Sequence, residues 1–163
     1  MGMVGYFTAI DGTTLEKVKA DSNLITEILL PDDDENEPEN TVDIDKAWHG
    51  IHFMLTSGAA DGDGPLFWAV MGGEPIGEDM GYGPARILTP NEVFKISDAL
   101  TALPIERFLT RFVPSAMTEA DIYPEIWSEG QSSLEYLVDN YRRLVAFYKE
   151  AAARGDGAIL WLA

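Results

Sequence analysis

The chain has 163 residues, 46% of them apolar and 24% charged. These are ordinary proportions for one globular domain, and they exclude a wholly disordered chain. It has no cysteine, which removes disulfides and thiolate metal sites and suits a reducing cytoplasm. Its formal net charge of −17 repels phosphate, so nucleic acid and anionic membranes are poor partners, whereas a basic protein would be steered towards it.

In chain order, "GMVGYFTAI" is rich in β-formers and predicts a strand over 3–10. The opening residues lack the basic and apolar regions of a secretory signal, and no apolar run approaches the roughly 20 residues of a membrane helix. Tyr6 stands where a myristoylation pattern needs Ser or Thr. Thr13 and Glu16 have capping-box spacing, which predicts a helix from about Thr14 that runs to Leu30 or breaks near Ser22.

The charge is concentrated early. Residues 1–90 hold 17 acids and 4 bases, against 11 acids and 7 bases in 91–163, and eight acids lie between Asp32 and Asp45. Residues 31–40 read as an acidic loop. Asp32, Asp34 and Asn36 superficially match a calcium loop, but Glu37 stands where the turn glycine belongs. Asp61 and Asp63 fail a similar comparison.

Residues 44–56 predict a helix, because Ile44, Trp48, Ile51 and Leu55 make one apolar stripe. "PLFWAVMG" predicts a buried turn or two of helix. "GGEPIGEDMGYGPAR" has five glycines and two prolines and predicts an irregular loop, followed by a short strand at Ala85–Leu88. "TPNE" is a strong helix start: Thr89 caps, Pro90 takes the first helical position and Glu92 completes the box. That helix runs to Pro104, and "IERFLTRF" carries a further one to about Phe112. "MTEADIYPEIW" reads as an aromatic loop. A long helix follows over about 131–153, stopped by Gly155, and "GAILWLA" closes as a strand. The expected class is α+β: a small, mostly antiparallel sheet of N-terminal, middle and C-terminal strands covered by four to six helices. Its first and last strands should lie side by side at the centre.

Both histidines, His49 and His52, lie in "DIDKAWHGIHFMLTS". Spaced i, i+3 on a helix, they can face one way, and Asp45 could orient His49. Zinc would need a further ligand from a distant acid, and the two-histidine metalloprotease pattern is absent. The preferred reading has His49 in solvent and His52 as a satisfied imidazole at the core edge. General acid–base work by His52 is the functional alternative.

The glycine-rich stretch lacks the spacing and lysine of a phosphate loop, and its Glu78 and Asp79 would repel phosphate. It nonetheless carries Tyr82 and Arg86, hydrogen-bond donors beside two carboxylates. An ion pair of Arg86 with one of those carboxylates is the simpler expectation, and binding the functional one. Asp121, Tyr123 and Trp127 surround Pro124 and could anchor a partner, although such aromatics more often lid a core. No nucleophile elbow or cofactor motif is present, so neither cofactor nor metal is expected.

Four ordered segments, "MGMVGYFTAI", "DIDKAWHGIHFMLTS", "GGEPIGEDMGYGPARILTP" and "DIYPEIW", together resemble the YfbM-like bacterial proteins, a family without assigned activity. The resemblance spans nearly the whole chain. It implies one small α+β domain over residues 1–163 in a bacterial cytoplasmic protein. Asp43, Asp45, Lys46, Trp48 and His52 match its first long motif, whereas position 49 is less regular there. Glu78, Asp79, Tyr82 and Arg86 match the second.

Two functions follow as expectations. The first is a non-enzymatic, immunity-like interaction module meeting a basic protein through its acidic half, with its oligomeric state open. The second is an enzyme or small-ligand binder with a cleft between the 43–57 helix and the 72–86 loop. Its candidate residues are Trp48, His52, Glu78, Asp79, Tyr82, Arg86, Asp121 and Tyr123, with His52 as acid–base group and Arg86 as anion clamp.

Overall fold

The computed structural model describes residues 2–30, 38–58 and 62–163. Most of the acidic loop, its calcium-loop match at 32–37, and Asp61 fall outside those residues. Among the described residues the chain is α+β. Its five strands are β1 (Gly5–Ile10), β2 (Thr41–Asp43), β3 (Glu74–Asp79), β4 (Pro84–Leu88) and β5 (Gly157–Leu162). They form one sheet in the order β2-β1-β5-β4-β3, every pair antiparallel. The first and last strands lie side by side as expected, with Phe7 opposite Leu160 and Thr8 opposite Ile159.

Helices cover both faces, which explains why β5 reads as an unbroken apolar run. On one face Phe7, Ala9, Leu88, Ala158 and Leu160 join the main core. That core is built with α3 (Trp48–Thr56), α4 (Pro65–Met71), α5 (Pro90–Ala102) and α8 (Gln131–Arg154). On the other face Ile10, Ile87, Ile159 and Trp161 pack against Leu15 and Val18 of α1 (Gly12–Ala20) and Ile25 and Leu29 of α2 (Leu24–Leu29).

Several local expectations change. The described helices number eight rather than four to six: α1 and α2 separate at Asp21–Asn23, the break near Ser22 that the sequence allows, α6 (Ile105–Leu109) forms in its predicted segment, and α7 (Pro114–Glu119) is an added helix that runs into the expected aromatic loop. The cap of α1 is Asp11, whose carboxylate accepts the Thr14 N–H at 2.7 Å, rather than Thr13. The glycine-rich stretch is not an irregular loop but the hairpin β3–β4. Asp79 closes its turn by accepting the N–H groups of Gly81 at 2.7 Å and Gly83 at 3.1 Å. Gly81 and Gly83 have φ of 130° and 97°, which side chains with a Cβ rarely adopt. At residue 89 the capping box forms as read: Thr89 Oγ1 accepts the Glu92 N–H at 3.2 Å, and the Glu92 carboxylate accepts the Thr89 N–H at 3.1 Å. No described helix is long and apolar enough to cross a membrane.

Candidate functional site

A 3-10 turn at Asp45–Ala47 leads into α3. Asp45 holds a left-handed φ of 47°, which costs an ordinary residue energy unless its surroundings enforce it. Tyr136 of α8 does so: its hydroxyl donates to Asp45 Oδ2 at 2.8 Å and accepts the Lys46 N–H at 3.0 Å. Burial first, then the bond to Asp45, push the Tyr136 phenol up, so it stays a neutral donor. The helix therefore leaves the turn at a set angle. Its stripe of Ile44, Trp48, Ile51 and Leu55 is buried as the sequence predicts.

Both histidines project from α3 on the side away from the deepest core. Together with Trp48, Phe53 and Thr56 they form one wall of an open cleft of about 500 Å³. Phe67 and Met71 of α4 make a second wall, and Ala120 and Ile122, just past α7, a third. The expected cleft against the 72–86 hairpin is thus replaced by one against α4 and the aromatic loop.

Two arginines hold the helices that make this cleft. The last carbonyls of any helix lack partners within it and attract cations. Arg111 donates to the carbonyls of Met54 and Leu55 at the end of α3, both at 3.0 Å. Arg86 donates to those of Gly72 at 2.9 Å and Val70 at 3.1 Å at the end of α4, and buried Tyr148 adds a 2.6 Å bond to the Ala69 carbonyl. The partners of Arg86 are therefore carbonyl oxygens, not the carboxylates of Glu78 or Asp79. Its burial lowers its proton affinity, and the site offers it dipoles in place of a counter-ion.

His49 is not the solvent-facing ring expected. It stacks on Trp48 with centroids 5.0 Å apart, and its Nδ1 accepts the Tyr123 N–H at 3.0 Å. Burial lowers its pKa, so the ring is neutral near pH 7. His52 and Phe67 pack edge to face, with ring centroids 4.8 Å apart. Burial first, then the nearby His49 and Arg86, lower the His52 pKa to about 4. Its Nδ1 is fully buried with no hydrogen-bond partner among the described residues, whereas the sequence reading expected a satisfied core imidazole. An orphaned buried polar atom is uncommon and demands an explanation.

The other candidates do not converge here. Asp79 is occupied in the hairpin turn. Glu78 and Tyr82 are exposed on the same hairpin, Tyr82 at 50%. Asp121 is exposed with a left-handed φ of 51° between the cleft residues Ala120 and Ile122. Tyr123 braces the N-terminal segment: its hydroxyl accepts the Met3 N–H at 3.0 Å, while the Trp48 indole donates to the Met3 carbonyl at 2.9 Å. Trp127 is a core residue whose indole donates to the Ile122 carbonyl at 2.6 Å. Sequence reasoning missed Phe53, Phe67, Met71 and Arg111. Only Phe67 and Met71 carried a signal, as i, i+4 neighbours in the short apolar segment. Among the described residues no three His, Asp or Glu side chains are grouped to hold a metal ion.

The profile of a family described as "Domain of unknown function (DUF1877)" matches residues 1–161. The chain belongs to this DUF1877 family. A relative, Protein YfbM of Escherichia coli strain K12, is 29% identical over 168 residues, covering 98% of this chain and 97% of its own. The crystal structure described as a protein of unknown function, YfbM from Escherichia coli, superposes with a TM-score of 0.76 at 22% identity. It covers 98% of this chain and 99% of its own, so the DUF1877 fold is shared end to end.

Proposed function

We propose that this protein binds a small organic molecule in the cleft between α3, α4 and residues 120–122. The observation that carries the reading is a roughly 500 Å³ concavity whose wall carries both imidazoles of the chain, His49 and His52, on one turn of α3. Ligand sites are typically concavities of about 300–1,000 Å³, mostly apolar, with a few placed polar groups. Here Trp48, Phe53, Phe67, Met71 and Ile122 supply the apolar surface and the two imidazoles the polar groups. Among the described residues no carboxylate lines the wall to serve as a proton partner, which favours binding over acid–base turnover.

The test is a fragment screen read by NMR, with Ala120→Trp as the blocked control. Ala120 is exposed, so the larger ring fills the cleft mouth without entering the core. Saturable shifts at Trp48, His52 and Phe67 that vanish in the variant support the reading. Fragments that bind only elsewhere, or equally well to the blocked protein, refute it.

A second reading keeps the acidic surface as a docking face for a basic protein, favoured by the formal charge of −17. Neutralising the acids of residues 32–39 and repeating a native pull-down tests it. Capture of the same partners counts against that stretch.

A further inference from the structure

The two histidines also define what the cleft can accept. Neutral imidazole carries one proton, and the nitrogen that accepts a hydrogen bond cannot hold it. His49 Nδ1 accepts the Tyr123 N–H, so the His49 proton sits on Nε2. For His52, a proton on buried Nδ1 would be a donor with no acceptor. The alternative leaves only a lone pair there and puts the proton on Nε2. Among the described residues neither Nε2 has a hydrogen-bond partner, and neither is fully buried. Both rings line the same cleft from one turn of α3. The wall therefore presents two N–H donors, one from each ring.

The same tautomer argues against a metal. A histidine that ligates through one nitrogen ordinarily donates its other ring N–H to an acceptor, whereas His49 accepts at Nδ1. Charged ligands fit poorly too. Among the described residues the lining has no carboxylate and no cation, so an ion there would lose its hydration without gaining a counter-charge from them. Arg86 lies behind the wall and is spent on two carbonyls. Trp48, Phe53 and Phe67 offer flat surface, which suits a ring.

Resting on the reading of the cleft as a ligand site, we propose that its ligand is an uncharged, planar aromatic compound bearing a carbonyl acceptor. The carbonyl takes the Nε2–H groups of His49 and His52, and the ring lies against the aromatic walls.

Four bicyclic probes of similar size separate the alternatives by calorimetry and NMR: coumarin (neutral, acceptor only), indole (neutral, donor only), 2-naphthoate and 2-naphthylmethylammonium. Long-range proton–nitrogen correlation of the imidazoles reads the tautomers directly. The expected result is protonated Nε2 on both rings. Coumarin should bind about tenfold tighter than the other three, the worth of roughly one net hydrogen bond. His52→Phe, which keeps an aromatic ring of similar size, should erase the margin over indole. Tightest binding by either ion, equal binding by all four, or a protonated Nδ1 on either ring overturns the ligand class while leaving the cleft a binding site. Failure of all four to perturb the cleft, with the expected tautomers present, overturns the ligand class. If the fragment screen also fails there, the underlying reading falls with it.

Discussion

Gly50 lies in the first turn of α3, behind the 3-10 turn that leads into it, and replacing a helical glycine by alanine ordinarily stabilises a helix by about 1 kcal/mol. The structure predicts the opposite. A Cβ built on Gly50 would lie 2.7 Å from Trp127 Cζ2 and 3.0 Å from Leu137 Cδ1, and it would also overlap Trp127 Cη2. Trp127 is fully buried and its indole is tied to the Ile122 carbonyl, so it cannot swing aside cheaply. Overpacking of this kind costs about 1–3 kcal/mol. That exceeds the helical gain over most of its range, so Gly50→Ala should be destabilised, by up to about 2 kcal/mol net. Urea denaturation followed by tryptophan fluorescence and circular dichroism measures it, and for a chain of this length each kcal/mol should lower Tm by about 2–4 °C. Gly12→Ala is the control, because a Cβ there meets nothing within 4 Å and should be neutral or mildly stabilising. If Gly50→Ala were as stable as the parent, α3 would have room against Trp127 and the packing argument would fail.

Tyr148→Phe keeps the ring but strands the Ala69 carbonyl, and should cost about 1–2 kcal/mol in urea at unchanged slope. An unchanged midpoint would mean that the carbonyl finds another donor. Arg86→Met removes both donors to the end of α4, and amide exchange should accelerate over residues 65–71 while β4 stays protected. Equal acceleration in both would instead mark global loosening. The low His52 pKa also has a stability consequence. The unfolded ring takes up a proton near its ordinary 6.5 and the folded one only near 4, so the His52 contribution is full above pH 6.5 and is lost as pH falls towards 4. Solvent screening of a ring open to the cleft limits the loss to about 1–2 kcal/mol. Carboxylates titrate across the same range, so the readout is the urea midpoint of the parent minus that of His52→Phe. This difference should fall with pH through that window, and a flat difference would show that His52 titrates normally.

Much of the framework was legible because its causes are local. Thr89, Pro90 and Glu92 interact within one turn, so spacing alone locates the start of α5. The stripe on α3 and the long periodic face of α8 likewise need no knowledge of their partners. What escaped depends on distant chain. β2 has only three residues and is a strand because Val42 pairs with Phe7. The strand at Ala85–Leu88 is legible in the sequence, but β3 before it contains Pro75 and Gly77, which argue against a strand, and β3 forms by pairing with β4. The site divides in the same way. The i, i+3 spacing put His49 and His52 on one wall. That Arg86 and Arg111 would cap two different helices, 14 to 16 and 56 to 57 residues away, has no local signature.

The place of β5 in the sheet has a consequence for how the chain comes together. It is the strand that joins β2–β1 to β4–β3, yet it follows β1 by about 150 residues. Until residues 157–162 arrive, the sheet is two ribbons with facing open edges, each a template for wrong pairing. Contacts this distant in sequence slow folding. The same arrangement makes the protein a candidate for complementation. A chain stopped after residue 156 would carry a strand-shaped vacancy, and a separate peptide of sequence GAILWL could fill it with hydrogen bonds from both sides.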